Sequence, residues 1–142
     1  MNLEQLQDLW KKDSEIDPDK YGEESIRIPQ LHMRYMEFYN TFSLMKKDRE
    51  SEMRFLTREK WIFYKGKAPA KIYKDTPFDF KLTTREEINM FIDADEDVRK
   101  LQLKIDYIEQ TIFFLDAVLR QINSRNYQIK NAIEWERFQS GM

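Results

Sequence analysis

Hydrophobic residues recur at helical spacing over most of the chain. In the second half, apolar side chains follow one another at alternating steps of three and four residues from Val98 to Ile133. One position of this repeat is occupied by the polar residue Asn126. Such a heptad repeat forms a stripe along one side of a helix and packs against another helix. The pattern predicts a long C-terminal helix. We call its apolar stripe the C-terminal seam, and its members are Val98, Leu101, Ile105, Ile108, Ile112, Leu115, Leu119, Ile122, Ile129 and Ile133.

The first half of the chain carries two further helical patterns. Apolar residues at helical spacing between Leu3 and Trp10 predict a short amphipathic helix that ends before Pro18. Pro29 suits the first turn of a helix, where its missing N–H needs no partner. Apolar residues at alternating steps of four and three follow it from Leu31 to Met45, and the periodicity continues less regularly as far as Gly66. They predict one helix of roughly thirty residues.

Prolines and lysines interrupt the periodicity between Gly66 and Leu82. We interpret this segment as a basic loop, with a short extended piece at residues 71–74. Thr84 and Glu87 have the spacing of a capping box, so helix is predicted to resume there. The sequence as a whole predicts an all-α fold and, at 142 residues, a single helical domain.

The C-terminal seam needs a partner helix, and two arrangements would supply one. The seam could pack on the long first-half helix in an intramolecular hairpin, or the C-terminal helices of several copies could pack together. Asn126 is the kind of polar residue that fixes register in such an assembly. We favour the homo-oligomer, with these assembly residues: Leu101, Ile105, Ile108, Ile112, Leu115, Leu119 and Ile122.

Composition removes most enzyme classes. The chain has no cysteine, one histidine and three widely separated glycines. A zinc finger, a thiol nucleophile, a P-loop and a Rossmann turn are therefore excluded. His32 has no nucleophile beside it, so we expect no catalytic residue, no metal site and no cofactor. No apolar run approaches the roughly 20 residues that span a bilayer, so no membrane segment is expected.

Charge is unevenly distributed along the chain. The net charge is −2, but residues 1–25 carry −5 and residues 46–75 carry +5. The acidic run 93–97 begins like a calcium loop, yet Val98 stands where the loop needs glycine. We therefore interpret it as a helix N-terminus capped by Asp93 or Asp95. The positive charge of the chain is concentrated in one middle segment.

That middle segment has the features of a nucleic-acid-binding surface. On a helix, Arg54, Arg58, Trp61 and Lys65 fall at steps of four, three and four and share one face. Cations at this spacing can follow a phosphate backbone while an aromatic ring stacks on unpaired bases. Gly66 would let Lys67 leave the helix axis and reach a further phosphate. The alternative is a solvated cationic face whose aromatic residues belong to the core.

Several short motifs resemble the UvsY family of recombination mediators from T-even and related bacteriophages. They are Leu3–Gln7, Arg58-Glu59-Lys60 with Phe63–Lys67, Ala94–Val98 and Ile122–Arg125. The residue Thr57 and the segment 68–80 depart from the family pattern. The resemblance places the DNA role best on Arg58 and Lys60. The predicted DNA-binding residues are then Arg54, Arg58, Lys60, Trp61, Tyr64, Lys65 and Lys67.

The resemblance also implies a function and partners. It implies a non-enzymatic mediator that binds single-stranded DNA and helps load the phage recombinase onto DNA covered by the phage single-strand-binding protein. Residues 1–83 would be the N-terminal and DNA-binding region. Residues 84–142 would assemble a hexameric or heptameric ring in the cytoplasm of the infected bacterium. The alternative is a structural coiled-coil adaptor with no nucleic-acid role.

Overall fold

In a computed structural model that describes residues 1–141, the chain forms five α-helices and, over that range, no β-strand. The all-α prediction is therefore confirmed. The helices are α1 (Leu3–Asp13), α2 (Tyr21–Tyr64), α3 (Ala70–Asp75), α4 (Arg85–Ala94) and α5 (Glu96–Gln139).

Helix α2 is longer than predicted, with 44 residues, because it begins at Tyr21 and not near Pro29. Pro29 lies inside the helix and cannot donate a hydrogen bond to the carbonyl of Ser25. That residue is exposed, so water can satisfy the carbonyl. The added first turns carry Glu24, which is buried and ion-paired. Tertiary contact thus extends the helix beyond the boundary that the proline suggests.

The segment predicted as a basic loop contains helix α3, so the extended piece at residues 71–74 was wrong. Pro69 is the N-cap of α3, a position where its missing N–H costs nothing. Tyr73 stacks on Phe63 at a ring distance of 5.2 Å, and its hydroxyl donates to the carbonyl of Phe63 at 2.7 Å. These contacts fix α3 on the end of α2.

The chain divides into two compact units, each built from segments of both long helices. The terminal unit comprises Met1–Ser43 and the chain from Gln110 onward, and the central unit comprises Leu44–Glu109. The boundaries of these units differ from those of the regions 1–83 and 84–142, because α2 and α5 each contribute to both units.

The terminal unit packs α1 against α2 and α5. Leu6 and Tyr35 are fully buried, and the ring of Trp10 meets that of Tyr35 edge-on at 5.3 Å. The Tyr35 hydroxyl donates to the buried carboxylate of Asp13 at 2.9 Å. Arg125 is 2% exposed and pairs with Glu24 at 2.9 Å, so this core includes buried charge.

The central unit closes around the junction of α4 and α5. Ile88, Ile92 and Val98 form its buried core, and partly buried residues of α2 such as Met53 and Leu56 pack on it. Thr84 caps α4 by accepting a hydrogen bond from the N–H of Glu87 at 3.2 Å, as predicted. Six aromatic rings connect the end of α2 with α3 and α4: Phe63, Tyr64, Tyr73, Phe78, Phe80 and Phe91.

The C-terminal seam is already buried within a single chain. Six of the predicted assembly residues are at most 7% exposed, and the seventh, Ile112, is half-buried. They therefore offer no outer surface to another copy, and the burial favours the intramolecular hairpin that the pattern left open. Asn126 is exposed, and Arg125 takes its place on the buried side. The six are Leu101, Ile105, Ile108, Leu115, Leu119 and Ile122.

Candidate nucleic-acid interface

The last turns of α2 present a basic face with an aromatic ring in it. Arg54 and Arg58 are exposed, and neither forms an ion pair with any described residue. Trp61 is 37% exposed, and the ammonium of Lys65 lies 5.7 Å from the centre of its ring. We call these four residues, Arg54, Arg58, Trp61 and Lys65, the basic face.

A glycine turn ends α2 immediately after the basic face. Gly66 has a φ of +84°, which glycine adopts without steric cost. The N–H of Lys67 donates to the carbonyl of Ile62 at 3.1 Å, and that of Gly66 to the carbonyl of Phe63 at 3.1 Å. This pattern of bonds satisfies the last carbonyls of a helix and reverses the chain. Lys67 is exposed beyond the turn.

Lys60 lies on a different side of α2 from Arg58, because residues two apart on a helix point in nearly opposite directions. Its ammonium is 2.8 Å from a carboxylate oxygen of Asp97 and 3.3 Å from one of Asp95. The Lys60 side chain is only 22% exposed. In this structure Lys60 joins α2 to the start of α5.

Tyr64 belongs to the same network. Its hydroxyl donates to Asp95 at 2.6 Å, on the carboxylate oxygen that also faces Lys60. The other oxygen of Asp95 accepts from the N–H groups of Asp97 and Val98 at 2.9 and 3.2 Å. Asp95 is thus the cap of α5, one of the two caps predicted.

The network shifts the titration of its members. Burial alone would lower the pKa of Lys60, but its hydrogen bonds to Asp97 and Asp95 outweigh burial and raise that pKa above its ordinary value. Burial alone would raise the pKa of Asp95, but the hydrogen bonds from Tyr64, the Val98 N–H and Lys60 lower it. The pKa of Tyr64 is raised by burial and by Asp95. All three groups therefore hold their usual charge firmly at neutral pH.

The predicted DNA-binding residues thus separate into two groups. The basic face and Lys67 are directed to solvent or border it, whereas Lys60 and Tyr64 face the α4–α5 junction. The partners of Lys60 were not foreseen, since 37 residues separate it from Asp97. The sequence did contain one indication, because residues two apart on a helix, such as Arg58 and Lys60, do not share a face.

A second exposed surface lies on α5 in the terminal unit. Four aromatic side chains on its outer side are 59–74% exposed, and Trp135 stacks on Phe138 at 5.8 Å. They lie on the side opposite the C-terminal seam, so we call them the outer aromatic face. Its members are Phe113, Tyr127, Trp135 and Phe138.

The described part of the chain contains neither a cluster of metal-binding side chains nor a helix able to span a membrane. Residues 1–141 contain no group of three or more acidic or histidine side chains placed to hold a metal ion. None of the helices in that range has the combination of length and apolar character that crossing a bilayer requires.

The chain is similar to recombination proteins of bacteriophage T4. The recombination protein uvsY of Enterobacteria phage T4 is 25% identical over 144 residues, which cover 99% of both chains. Crystal structures of the bacteriophage T4 recombination mediator protein UvsY share the fold. Lattice type II has a TM-score of 0.84 at 23% identity and covers 99% of this chain and 98% of that one. Lattice type IV has a TM-score of 0.81 at 23% identity, with 98% and 99% covered.

The family model described as "Recombination, repair and ssDNA binding protein UvsY" matches residues 9–142. This match extends over nearly the whole chain, including the basic face, the Lys60 network and the outer aromatic face. The chain belongs to the UvsY family of recombination, repair and single-stranded-DNA-binding proteins.

Proposed function

We propose that this chain is a recombination mediator that binds single-stranded DNA along the basic face of α2. The observation that carries the proposal is the pair of exposed guanidinium groups of Arg54 and Arg58, which lie beside Trp61 and have no ion-pair partner within residues 1–141. A helix rises about 1.5 Å per residue, so the two arginines are about 6 Å apart along the axis. Guanidinium groups bind phosphate, and an exposed indole stacks on an unpaired base without selecting its identity.

Lys65 and Lys67 extend the same path at the end of the helix. Lys67 follows the Gly66 turn and stands clear of the helix end. We assign Lys60 and Tyr64 a supporting part, because their polar atoms are engaged with Asp95 and Asp97. In this proposal Lys60 does not contact DNA, as the family resemblance implied, but holds α2 in place while exposed neighbours such as Arg58 contact DNA.

We propose that the outer aromatic face assembles the copies into a ring of six or seven. Soluble monomers rarely leave large apolar side chains exposed in a group, and such groups mark interaction sites. The four aromatic side chains repeat along the outer side of α5, where a second helix can cover them. The C-terminal seam meanwhile completes the fold of each copy.

Assembly into a ring would raise the overall affinity for DNA even if each site binds weakly. Each basic face offers few phosphate contacts, but several faces on one particle bind one strand with high effective concentration. A strand held in this way can be presented to the phage recombinase and released from the phage single-strand-binding protein, provided the ring binds the two states of the strand with different affinity. No residue is assigned to contact either protein.

Binding of single-stranded oligonucleotide at rising salt tests the DNA proposal. The logarithm of the binding constant should fall linearly with that of the salt concentration, with a slope of about −0.7 for each phosphate contacted. Arg54→Ala with Arg58→Ala should weaken binding and flatten the slope. Arg99→Ala, an exposed arginine on α5 outside the basic face, is the matched control. Absence of a complex, as expected of a coiled-coil adaptor, would refute the proposal.

A further inference from the structure

Helix α2 carries a second exposed aromatic ring at the border of the basic face. Phe55 is 59% exposed, which is more than the 37% of Trp61. Its ring contacts no other aromatic ring of residues 1–141, whereas Phe80, an exposed ring of the same unit, packs on Phe78 and Phe91. Single exposed apolar side chains are common on protein surfaces, and what distinguishes Phe55 is its neighbours.

We infer that Phe55 is a second base-stacking residue of α2, so that a bound single strand places one base on Phe55 and another on Trp61. This inference rests on the proposed DNA-binding function and adds to it a residue outside the basic face. The ligand is a run of unpaired bases without a fixed sequence, because every base has a face on which an aromatic ring can stack.

The two rings and one arginine form a row on the surface of α2. Phe55, Arg58 and Trp61 follow one another at steps of three residues, and all three are exposed. Side chains three apart on a helix are neighbours, with Cβ atoms about 5–6 Å apart. Arg58 therefore has an exposed ring on each side. A strand that crosses α2 along this row meets a ring, a guanidinium group and a second ring in turn.

The spacing of the two rings suits a single strand. They are six residues apart in sequence, which is about 9 Å along the axis at about 1.5 Å per residue. Stacked nucleotides advance about 3.4 Å per step, so two or three nucleotides cover this distance. The phosphates between the two stacked bases then lie over Arg58, which has no ion-pair partner among the described residues.

The charges around Phe55 favour a base at this position over a phosphate. Residues of an α-helix follow one another at about 100° around the axis, so Arg58 lies about 60° to one side of Phe55. Glu52 and Glu59, both exposed, lie about 60° and 40° to the other side. These carboxylates repel a phosphate but not an uncharged base. The backbone of the strand is thus directed toward the arginines, and a base toward the phenyl ring.

The test compares two single-stranded probes with the full-length protein. One is an oligonucleotide of thymidines, and the other has the same number of phosphates but abasic linkers in place of the bases. Phe55→Leu keeps an apolar side chain and removes the flat ring, whereas Phe55→Tyr keeps the ring. Phe80→Leu is the matched control, because it makes the same change at a ring that is 65% exposed and lies outside α2.

The wild-type protein should bind the thymidine probe more tightly than the abasic probe. Phe55→Leu should lower the ratio of the two affinities roughly fivefold or more, which is the lower end of what one stacked base contributes. Its affinity for the abasic probe and the salt dependence of that affinity should stay those of the wild type, because no cation is removed. Phe55→Tyr and Phe80→Leu should keep the wild-type ratio.

Three outcomes would overturn the inference. A ratio unaltered by Phe55→Leu would show that no base lies on this ring. A ratio lowered as much by Phe55→Tyr would show that the flat ring is not what the strand contacts. An equal loss on both probes, together with a lower native mass by light scattering, would place Phe55 in a contact between copies of the chain.

Failure of this inference can be told from failure of the proposed function. If the wild type binds both probes with a steep salt dependence and only Trp61→Leu lowers the ratio, Phe55 is removed and the basic face remains the DNA site. Absence of binding to either probe would remove both.

Discussion

Replacement of Lys60 by methionine should lower stability and leave DNA contacts in place. The substitution keeps most of the side-chain length and removes the charge that joins α2 to Asp95 and Asp97. Arg58→Ala should weaken DNA binding and leave stability nearly unchanged, because Arg58 is exposed and has no ion-pair partner among the described residues. The two neighbouring cations therefore separate a structural role from a phosphate-binding role.

The loss in free energy of unfolding expected for Lys60→Met comes from two ion pairs that differ in burial. Asp97 is 64% exposed at its side chain, and such a surface pair contributes less than about 1 kcal/mol. Asp95 is 8% exposed, and loss of one partner from a buried pair costs about 3–5 kcal/mol when the other is left alone. Asp95 keeps the Tyr64 hydroxyl and two backbone N–H donors, so we expect a total of about 2 kcal/mol.

Two measurements test the assignment of Lys60. Urea unfolding followed by circular dichroism should give the loss of about 2 kcal/mol for Lys60→Met and a change within about 0.5 kcal/mol for Arg58→Ala. Titration of labelled single-stranded DNA over a range of salt should flatten the slope by about 0.7 for Arg58→Ala and leave it unchanged for Lys60→Met. Normal stability with a flattened slope in Lys60→Met would show that Lys60 contacts phosphate and refute the reasoning.

Three further predictions concern stability, pH and assembly. Arg125→Ala should lower the free energy of unfolding in urea by about 3–5 kcal/mol, because it leaves the buried carboxylate of Glu24 without its ion-pair partner. Replacement of Arg120 by alanine should cost less than about 1 kcal/mol, because the Arg120 side chain is 80% exposed. Equal losses for the two variants would contradict this prediction. Since the pKa of Asp95 lies below its ordinary 3.8, its ionised form stabilises the fold above that pH, and the difference in Tm between wild type and Asp95→Asn should close as the pH falls below 3.8; a gap that stays constant into acid would count against it. Trp135→Ser with Phe138→Ser should lower the native mass measured by light scattering, and an unchanged mass would remove the outer aromatic face from the assembly.

Periodicity predicted the helices well and their partners less well. The seam from Val98 to Ile133 was visible in the sequence, but a heptad repeat states only that one side of a helix is covered. Whether the cover belongs to the same chain depends on distant residues such as Leu31 and Phe42 of α2, both buried here. The buried Arg125 escaped notice because the heptad spacing placed Asn126 on the seam, and because its partner Glu24 is 101 residues away.

The basic face was predictable because it depends on local geometry alone. Helical spacing fixes which of Arg54, Arg58 and Trp61 lie on one side, and nothing farther along the chain alters that. The role of Lys60 could not be predicted without knowing which residues pack against α2. Helix α3 in particular has only six residues, too few for a periodic pattern, and Tyr73 holds it against Phe63 of α2.

A nearly neutral chain can still bind DNA if its positive charges are concentrated in one segment. The excess of +5 in residues 46–75 is partly spent inside the fold, since Lys60 and Lys46 are ion-paired with acidic residues of α5 or the α4–α5 junction. Among the described residues, seven of the ten cations in that segment have no ion-pair partner, and four of these seven lie on the basic face or at Lys67. A site of so few contacts binds weakly and releases readily at physiological salt. Such weakness suits a mediator, because a strand that several copies hold together can still be handed on when each contact is individually easy to break.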